Sequence, residues 1–161
     1  MAEKNEHHAA IADFIMDVPL FNALKSHELK IVAGHMVFLE IEEGEVLFQE
    51  GDQGDYICFV IKGGLDVVKN TGVPGETVTI ATIERKRSMG EMSVIDTTTR
   101  SVTAIARSRT ALASLPQKSF NIILDRHPKT GIKILKGIAR LMSLNLRKTS
   151  SRLADYMLPM S

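Results

Sequence analysis

The sequence contains a single cysteine, almost no net charge and no long apolar run. Only Cys58 of its 161 residues carries a thiol, so no disulfide can form within the chain. A formal net charge of +1 gives no strong attraction to nucleic acid or to an anionic membrane. No apolar stretch approaches the ~20 residues of a membrane-spanning helix, and no signal peptide is evident. With 44% hydrophobic residues, the chain is expected to form one domain over residues 1–161, in a reducing cytoplasmic location.

The common motifs of catalysis and metal binding are also missing. There is no Gly-x-Ser-x-Gly, no P-loop and no zinc-ligand spacing. The pair His7-His8 lies in a polar start of the chain, where no metal site is expected, and the acidic run 40–45 lacks the spacing of a calcium-binding EF-hand. Cys58 lies in an apolar segment, where a thiol is expected to be buried and inert. We therefore expect a protein that is not an enzyme and holds no metal.

Apolar periodicity and turn residues predict helices at the start of the chain and strands through its middle. Within residues 1–35, Pro19 ends a first helix, and Ser26 can cap a second one that runs to about residue 34. Glycines and aspartates separate the apolar runs that follow, which is typical of consecutive antiparallel strands. The strands are predicted over residues 36–41, 45–49, 55–61, 65–69, 77–83, 101–107 and 110–115.

Two more helices are predicted at the end of the chain. Pro116 suits the first turn of a helix that ends near His127, and a long helix follows over residues 129–157. A stripe with helical spacing runs along the long helix and consists of Leu135, Ile138, Met142, Leu146, Thr149, Leu153 and Tyr156. This stripe could cover the core, cap a ligand or pair with a second copy of the chain.

Residues 90–103 combine the features of an anion site with those of a sugar site. Gly90 lets the backbone approach a ligand closely, and the amides from Glu91 to Ser93 would open a helical turn with unpaired N–H groups. Arg100 adds a planar fork of donors that can bind a phosphate. The carboxylate of Glu91 would repel an anion, but it is a good acceptor for a hydrogen bond from a sugar hydroxyl. A cyclic nucleotide presents an anion next to a ribose hydroxyl.

This segment resembles the phosphate-binding cassette of cyclic-nucleotide-binding domains. The family includes domains of protein kinase A regulatory subunits, cyclic-nucleotide-gated channels and the bacterial catabolite activator. Its pattern is Gly-Glu, a small and apolar run, then Arg, a small residue and a strand. Here Glu91 and Arg100 are nine residues apart, as in the common form of the cassette. A second block, residues 44–68, is similar to the family's first strands, with a Gly-Asp turn and a Tyr-x-x-x-Val-Ile-x-Gly strand end.

The resemblance covers about residues 18–156 and implies an α+β, mainly β fold. Residues 36–115 would form an antiparallel β-roll, or jelly-roll barrel, with the cassette and its short helix at 89–103. Residues 1–35 would supply N-terminal helices. Residues 116–157 would supply a hinge and a lid helix.

The resemblance also implies a set of ligand contacts. Glu91 would accept from the ribose 2′-hydroxyl, Arg100 would bind the cyclic phosphate, and Ser101 would lie beside phosphate and base. The predicted contacts are Gly90, Glu91, Met92, Ser93, Arg100, Ser101 and Val102, with Met89, Val78 and Asn145 as further candidates.

Four of these residues are assigned to the base. Met89, Val102 and the strand near Val78 would supply apolar walls. Asn145, beside the stripe of the long helix, would contact the base itself. The alternatives for Asn145 are a solvated side chain or a buried amide that sets the register of a helix pair.

The sequence departs from the family pattern just before the Gly-Glu. Met89 stands where the family often has Phe, and the basic run Arg85-Lys86-Arg87 precedes it. This run could be a solvated hairpin, or it could steer a nucleotide toward the site. It could also bind a second phosphate, which would favour a cyclic dinucleotide. Thr99 precedes Arg100 where Pro is frequent, yet Glu91 and Arg100 are both retained.

The expected function is that of a cyclic-nucleotide sensor, with cAMP or cGMP as its regulatory ligand. Ser101 does not decide between them, and cAMP is favoured because it is the commoner ligand in the family. Movement of the long helix would signal to an unknown effector, and this helix could also form a homodimer. The chain stops at Ser161, just past this helix, so direct DNA binding is not expected. The alternative is a protein-interaction module that kept the fold and lost the ligand.

Overall fold

Helices open the chain in the computed structural model, which describes the backbone of residues 2–158 and the side chains of residues 6–158. The first elements are α1 (Ala2–Met16), a 3-10 turn (Pro19–Phe21) and α2 (Ser26–Gly34). The N-cap of α2 is Lys25, whose N–H donates to Glu28 Oε2 at 2.7 Å. The prediction that Ser26 caps α2 is therefore wrong, because Ser26 is already the first helical residue.

The strands follow the prediction closely. They are β1 (Val37–Ile41), β2 (Val46–Phe48), β3 (Tyr56–Lys62), β4 (Leu65–Asn70), β5 (Thr77–Ile83), β6 (Ser88–Met89), β7 (Thr103–Ala106) and β8 (Thr110–Pro116). Seven of them were predicted to within two residues at each end. The sequence analysis missed β6, because a strand of two residues leaves no alternating pattern.

Within the described residues, the eight strands form two antiparallel sheets of four. The strand orders are β1-β8-β3-β6 and β2-β7-β4-β5. One core, which includes Val60, Leu65 and Leu112, lies between the sheets, and a second core packs the helices against β3 and β8. Cys58 belongs to the first core and is 1% exposed, so its predicted burial is confirmed. The α+β, mainly β roll is thus confirmed, while its extent as one domain over residues 1–161 stays a prediction.

The remaining helices lie beside the cassette and at the end of the chain. They are α3 (Glu91–Asp96), α4 (Gln117–Arg126) and α5 (Pro128–Met157). The start of α5 is held firmly against the N-terminal helices. A Cβ at Gly137 would lie 2.3 Å from the carbonyl oxygen of Leu20, and Lys133 Nζ donates to Glu28 Oε2 at 2.8 Å.

The predicted stripe on α5 divides into a packed part and an exposed part. Ile138 is buried and Met142 is half-buried against the helical core. From residue 143 to residue 158 every residue is exposed, including Leu146 at 68%, Leu153 at 58% and Tyr156 at 88%. The distal half of the stripe therefore does not cover the core of this chain.

None of the helices within residues 2–158 is long and apolar enough to cross a membrane.

Candidate functional site

A cavity of about 190 Å³ lies between the sheet β2-β7-β4-β5 and the helix α3. It brings together all seven residues of the main predicted ligand set, and Met89 and Asn145 as well. Its lining consists of Phe48, Val67, Ala81, Ile83, Ser88, Met89, Gly90, Glu91, Met92, Ser93, Arg100, Ser101, Val102 and Asn145.

Arg100 is buried at the base of this cavity, with 2% of its surface exposed. Its Nη2 donates to the carbonyl oxygen of Tyr56 at 2.8 Å, and its Nη1 donates to that of Gly90 at 3.4 Å. The guanidinium carbon lies 4.2 Å from the ring centroid of Phe48 and 4.6 Å from that of Tyr56. Cation–π contacts of this kind stabilise a cation without neutralising its charge.

The charge of Arg100 is not balanced by a carboxylate. No ion pair joins it to any of the residues that the structure describes. Its Nε is buried and has no hydrogen-bond partner among those residues. A buried, unpaired cation is costly, so an anion bound beside Nε would be strongly favoured.

The backbone around Arg100 is fixed by the turn that follows β2. The N–H of Arg100 donates to the carbonyl oxygen of Asp52 at 2.7 Å, and the N–H of Gly51 donates to that of Arg100 at 2.8 Å. Gly54 lies under α3, where an added Cβ would meet Cβ of Ser93 at 2.1 Å. The Gly-Asp turn noted in the sequence therefore holds Arg100 and α3 together, a role that its local pattern did not reveal.

The helix α3 begins at Glu91, directly after the left-handed Gly90, whose φ is +93°. Within the described part of the chain, no side chain caps the first turn of α3. The first N–H groups of a helix have no partner inside it, so they are available as donors at the cavity wall. α3 ends at Asp96, whose carboxylate accepts from the N–H of Thr98 at 3.0 Å and so orders the loop that leads to Arg100.

Glu91 is half-buried in the cavity wall, and its carboxylate accepts a hydrogen bond from Ser88 Oγ. The sequence analysis did not single out Ser88.

Burial, with the nearby charge of Glu91 adding to it, raises the pKa of the Cys58 thiol to about 12. Cys58 is accordingly a neutral thiol, and its Sγ lies 3.7 Å from the carbonyl oxygen of Met89.

The apolar wall of the cavity comes from both sheets, with Phe48, Val67, Ala81 and Ile83 on one sheet and Met89 on the other. Ala81 and Ile83 are two residues apart on β5, so their side chains lie on the same face of the strand. They line the cavity together with Val67. Val78, on the same strand, is 48% exposed and lies outside the cavity. Two later residues of β5, and not Val78, therefore line the cavity.

Asn145 reaches the cavity from α5. It lies seven residues beyond the buried Ile138, at the point where α5 leaves the body of the domain. Its own surface is exposed, so it borders the open side of the cavity.

Two residues of the basic run before the cassette contact β3 and the region at the end of α1. Arg85 Nε donates to the carbonyl oxygen of Ile61 at 3.2 Å, and Lys86 Nζ pairs with Asp17 Oδ2 at 3.4 Å. Arg85, Lys86 and Arg87 are absent from the lining of the cavity just described. Among the described side chains, those of residues 6–158, no group of three His, Cys, Asp or Glu side chains could hold a metal ion.

The chain is similar to known proteins in sequence and in fold. The family model for the cyclic nucleotide-binding domain matches residues 38–127. A cyclic nucleotide-binding domain from Methylobacillus flagellatus KT superposes with a TM-score of 0.83 at 26% identity, covering 95% of this chain and 85% of that chain. The catabolite activator protein of Thermus thermophilus gives 0.75 at 26% identity, covering 84% of this chain and 62% of that chain.

A curated relative matches over a shorter segment. The lysophospholipase NTE1 of Chaetomium globosum is 36% identical over 105 residues, which are 65% of this chain. The matched segment spans 7% of the length of that enzyme.

Proposed function

The chain belongs to the cyclic nucleotide-binding domain family, and on that premise we propose that it is a sensor for a cyclic mononucleotide, cAMP before cGMP. The ligand occupies the cavity beside α3. Members of this family are regulatory, and the role proposed here is binding rather than catalysis. The lysophospholipase activity in the name of NTE1 is not carried over, since the matched segment is so small a part of that enzyme.

The buried charge of Arg100 carries this proposal. Its side chain is held by two carbonyl oxygens and two aromatic rings, none of which carries a negative charge. A cyclic phosphate beside Nε would supply both the missing anion and the missing acceptor. The free N–H groups at the start of α3 add donors for the same phosphate.

The other parts of a cyclic nucleotide have partners in the same cavity. Glu91 accepts from the ribose 2′-hydroxyl, which places its negative charge next to the sugar and not the phosphate. The apolar side chains of β4 and β5, together with Val102 just before β7, cover the base, and Ser101 lies beside it. Asn145 offers an amide to the base edge from α5.

Binding of the nucleotide is signalled to other molecules by a movement of α5. This helix is anchored by Gly137 and by the contact of Lys133 with Glu28, while its residues beyond 142 are exposed. Asn145 sits just past the anchored part, so a contact with the base would bias the position of the distal half. That half presents Leu146 and Leu153 to an effector protein or to a second copy of the chain.

Isothermal titration of the nucleotide-stripped protein with cAMP, cGMP and cyclic di-GMP tests the proposal. We expect saturable binding of one cyclic mononucleotide per chain, micromolar or tighter. Binding of cyclic di-GMP alone would instead indicate a dinucleotide receptor, and neutralising Arg85, Lys86 and Arg87 should then abolish it. If the folded protein binds none of the three, a protein-interaction module replaces the sensor.

A further inference from the structure

The carboxylate of Glu91 accepts a hydrogen bond from Ser88, which lies just before the Gly-Glu that opens the cassette. Ser88 Oγ donates to Glu91 Oε1, and both residues line the cavity. A serine hydroxyl has one proton to donate, and here that proton points to the carboxylate. Hydrogen bonds to a charged group are stronger than those between neutral groups.

The position of Ser88 is set by the backbone and does not depend on Glu91. Ser88 lies opposite Phe59 in the antiparallel pairing of β6 with β3. The N–H of Val60 donates to the carbonyl oxygen of Arg87 at 3.0 Å, one residue before Ser88. The left-handed turn at Gly90 then brings Glu91 back over Ser88, three residues earlier. The hydroxyl is therefore a fixed point against which the longer glutamate side chain is oriented.

From this geometry we infer that Ser88 is a positioning residue for Glu91 and sets the preference of the site for a ligand with a 2′-hydroxyl. The inference depends on the proposed function. The hydrogen bond from Ser88 to Oε1 fixes the orientation of the Glu91 carboxylate. In that orientation Oε2 accepts a hydrogen bond from the 2′-hydroxyl of the sugar. Without the hydroxyl, the glutamate gains rotamer freedom and must be ordered by the ligand, which lowers the affinity for the hydroxylated sugar. A 2′-deoxy ligand makes no such bond and is not affected.

The test compares the dissociation constants of cAMP and 2′-deoxy-cAMP, or of the matching cGMP pair if the parent binds cGMP. The parent should prefer the ribose form. Ser88→Ala should reduce that preference by about three- to tenfold, mainly through weaker binding of the ribose form. Ser88→Thr keeps a hydroxyl on a strand position and should retain the preference. Glu91→Gln should lose it, and Ser108→Ala, in the exposed β7–β8 turn, should leave it unchanged.

The ratio of the two constants separates positioning from a general structural role. If Ser88→Ala weakens both ligands equally, or neither, Ser88 does not act through Glu91 and the inference is overturned. A parent that binds both ligands equally well also overturns it, while leaving the cavity and Arg100 in place. A parent that binds neither overturns the proposed function and this inference with it. Thermal unfolding of each variant confirms that the protein compared is folded.

Discussion

Gly90 leaves no room for a side chain beside the guanidinium of Arg100. A Cβ at Gly90 would lie 2.3 Å from Nη1 of Arg100 and 2.8 Å from the carbonyl oxygen of Tyr56. The φ of Gly90 is +93°, a conformation that residues with a side chain rarely adopt. In the structure it is therefore Arg100 that approaches the backbone of Gly90 closely. The guanidinium occupies the space that a side chain at position 90 would fill.

The first prediction is that Gly90→Ala weakens nucleotide binding by about tenfold or more, because a displaced guanidinium loses part of the 2–5 kcal/mol that such a buried charged contact supplies. Titration with cAMP measures the effect. Gly75→Ala is the matched control, since Gly75 also has a positive φ, +81°, but no described atom lies within 4 Å of an added Cβ. Both variants bear a similar backbone cost, of about 1–2 kcal/mol. Equal affinities of the two variants for cAMP would show that the clash with Arg100 is unimportant.

The second prediction concerns the pH dependence of stability. The Lys133 ammonium and the N–H of Lys25 hold the pKa of Glu28 at about 2, below its ordinary 4.5. Because the folded-state pKa is lowered, the stabilisation by Glu28 is fully present above pH 4.5 and is lost as the pH falls toward 2. Glu28→Gln should therefore lower the free energy of unfolding by about 2 kcal/mol near neutral pH.

That difference between parent and Glu28→Gln should shrink as the pH falls through the same window. Urea unfolding at a series of pH values measures it. Glu43→Gln, an exposed position in the β1–β2 turn, serves as the control and should show no such change. A difference for Glu28→Gln that stays constant down to the lowest pH would mean that the contact with Lys133 does not stabilise the fold through the ionised carboxylate.

The third prediction concerns the distal half of α5. Leu146 and Leu153 are 68% and 58% exposed on a helix that extends beyond the body of the domain. If two copies pair through this face, Leu146→Glu together with Leu153→Glu should convert the dimer to a monomer. Light scattering coupled to size exclusion measures the mass. Ser151→Glu adds charge to the same exposed segment without removing an apolar side chain and should leave the dimer intact. A parent that is monomeric at high concentration would exclude this pairing and would favour an effector as the partner of α5.

Much of the site could be predicted because its key residues lie close together in sequence. Gly90, Glu91 and Arg100 belong to one short helix and loop, so their spacing largely determines their separation in space. The strands were predictable for a similar reason, since alternation and glycine turns are local signals. Val78 marks the limit of this approach, because the pattern indicated the strand but not the two residues that face the cavity.

Contacts between distant parts of the chain could not be predicted. Phe48 and Tyr56 precede Arg100 by many residues, and only the pairing of the sheets brings their rings to its guanidinium. Glu28, which accepts from the N–H of Lys25 at the start of α2, also accepts from Lys133 of α5, a contact across the chain that the local sequence does not indicate. The apolar stripe of α5 likewise continues past residue 142. The sequence does not show that the body of the domain ends there and that the rest of the stripe is exposed.

The central claim is that Arg100 binds the phosphate of a cyclic mononucleotide, and titration of Arg100 variants tests it most directly. The measurement compares the parent, Arg100→Gln, Arg100→Lys and the exposed-site control Arg107→Gln, all shown to be folded, with cAMP as ligand. Our account predicts that Arg100→Gln loses about 2–5 kcal/mol, or about thirty-fold to several thousand-fold in affinity. Arg100→Lys should recover part of this loss, because it keeps the charge but not the planar fork, and Arg107→Gln should bind like the parent. Binding of cAMP by Arg100→Gln with the affinity of the parent would contradict the account.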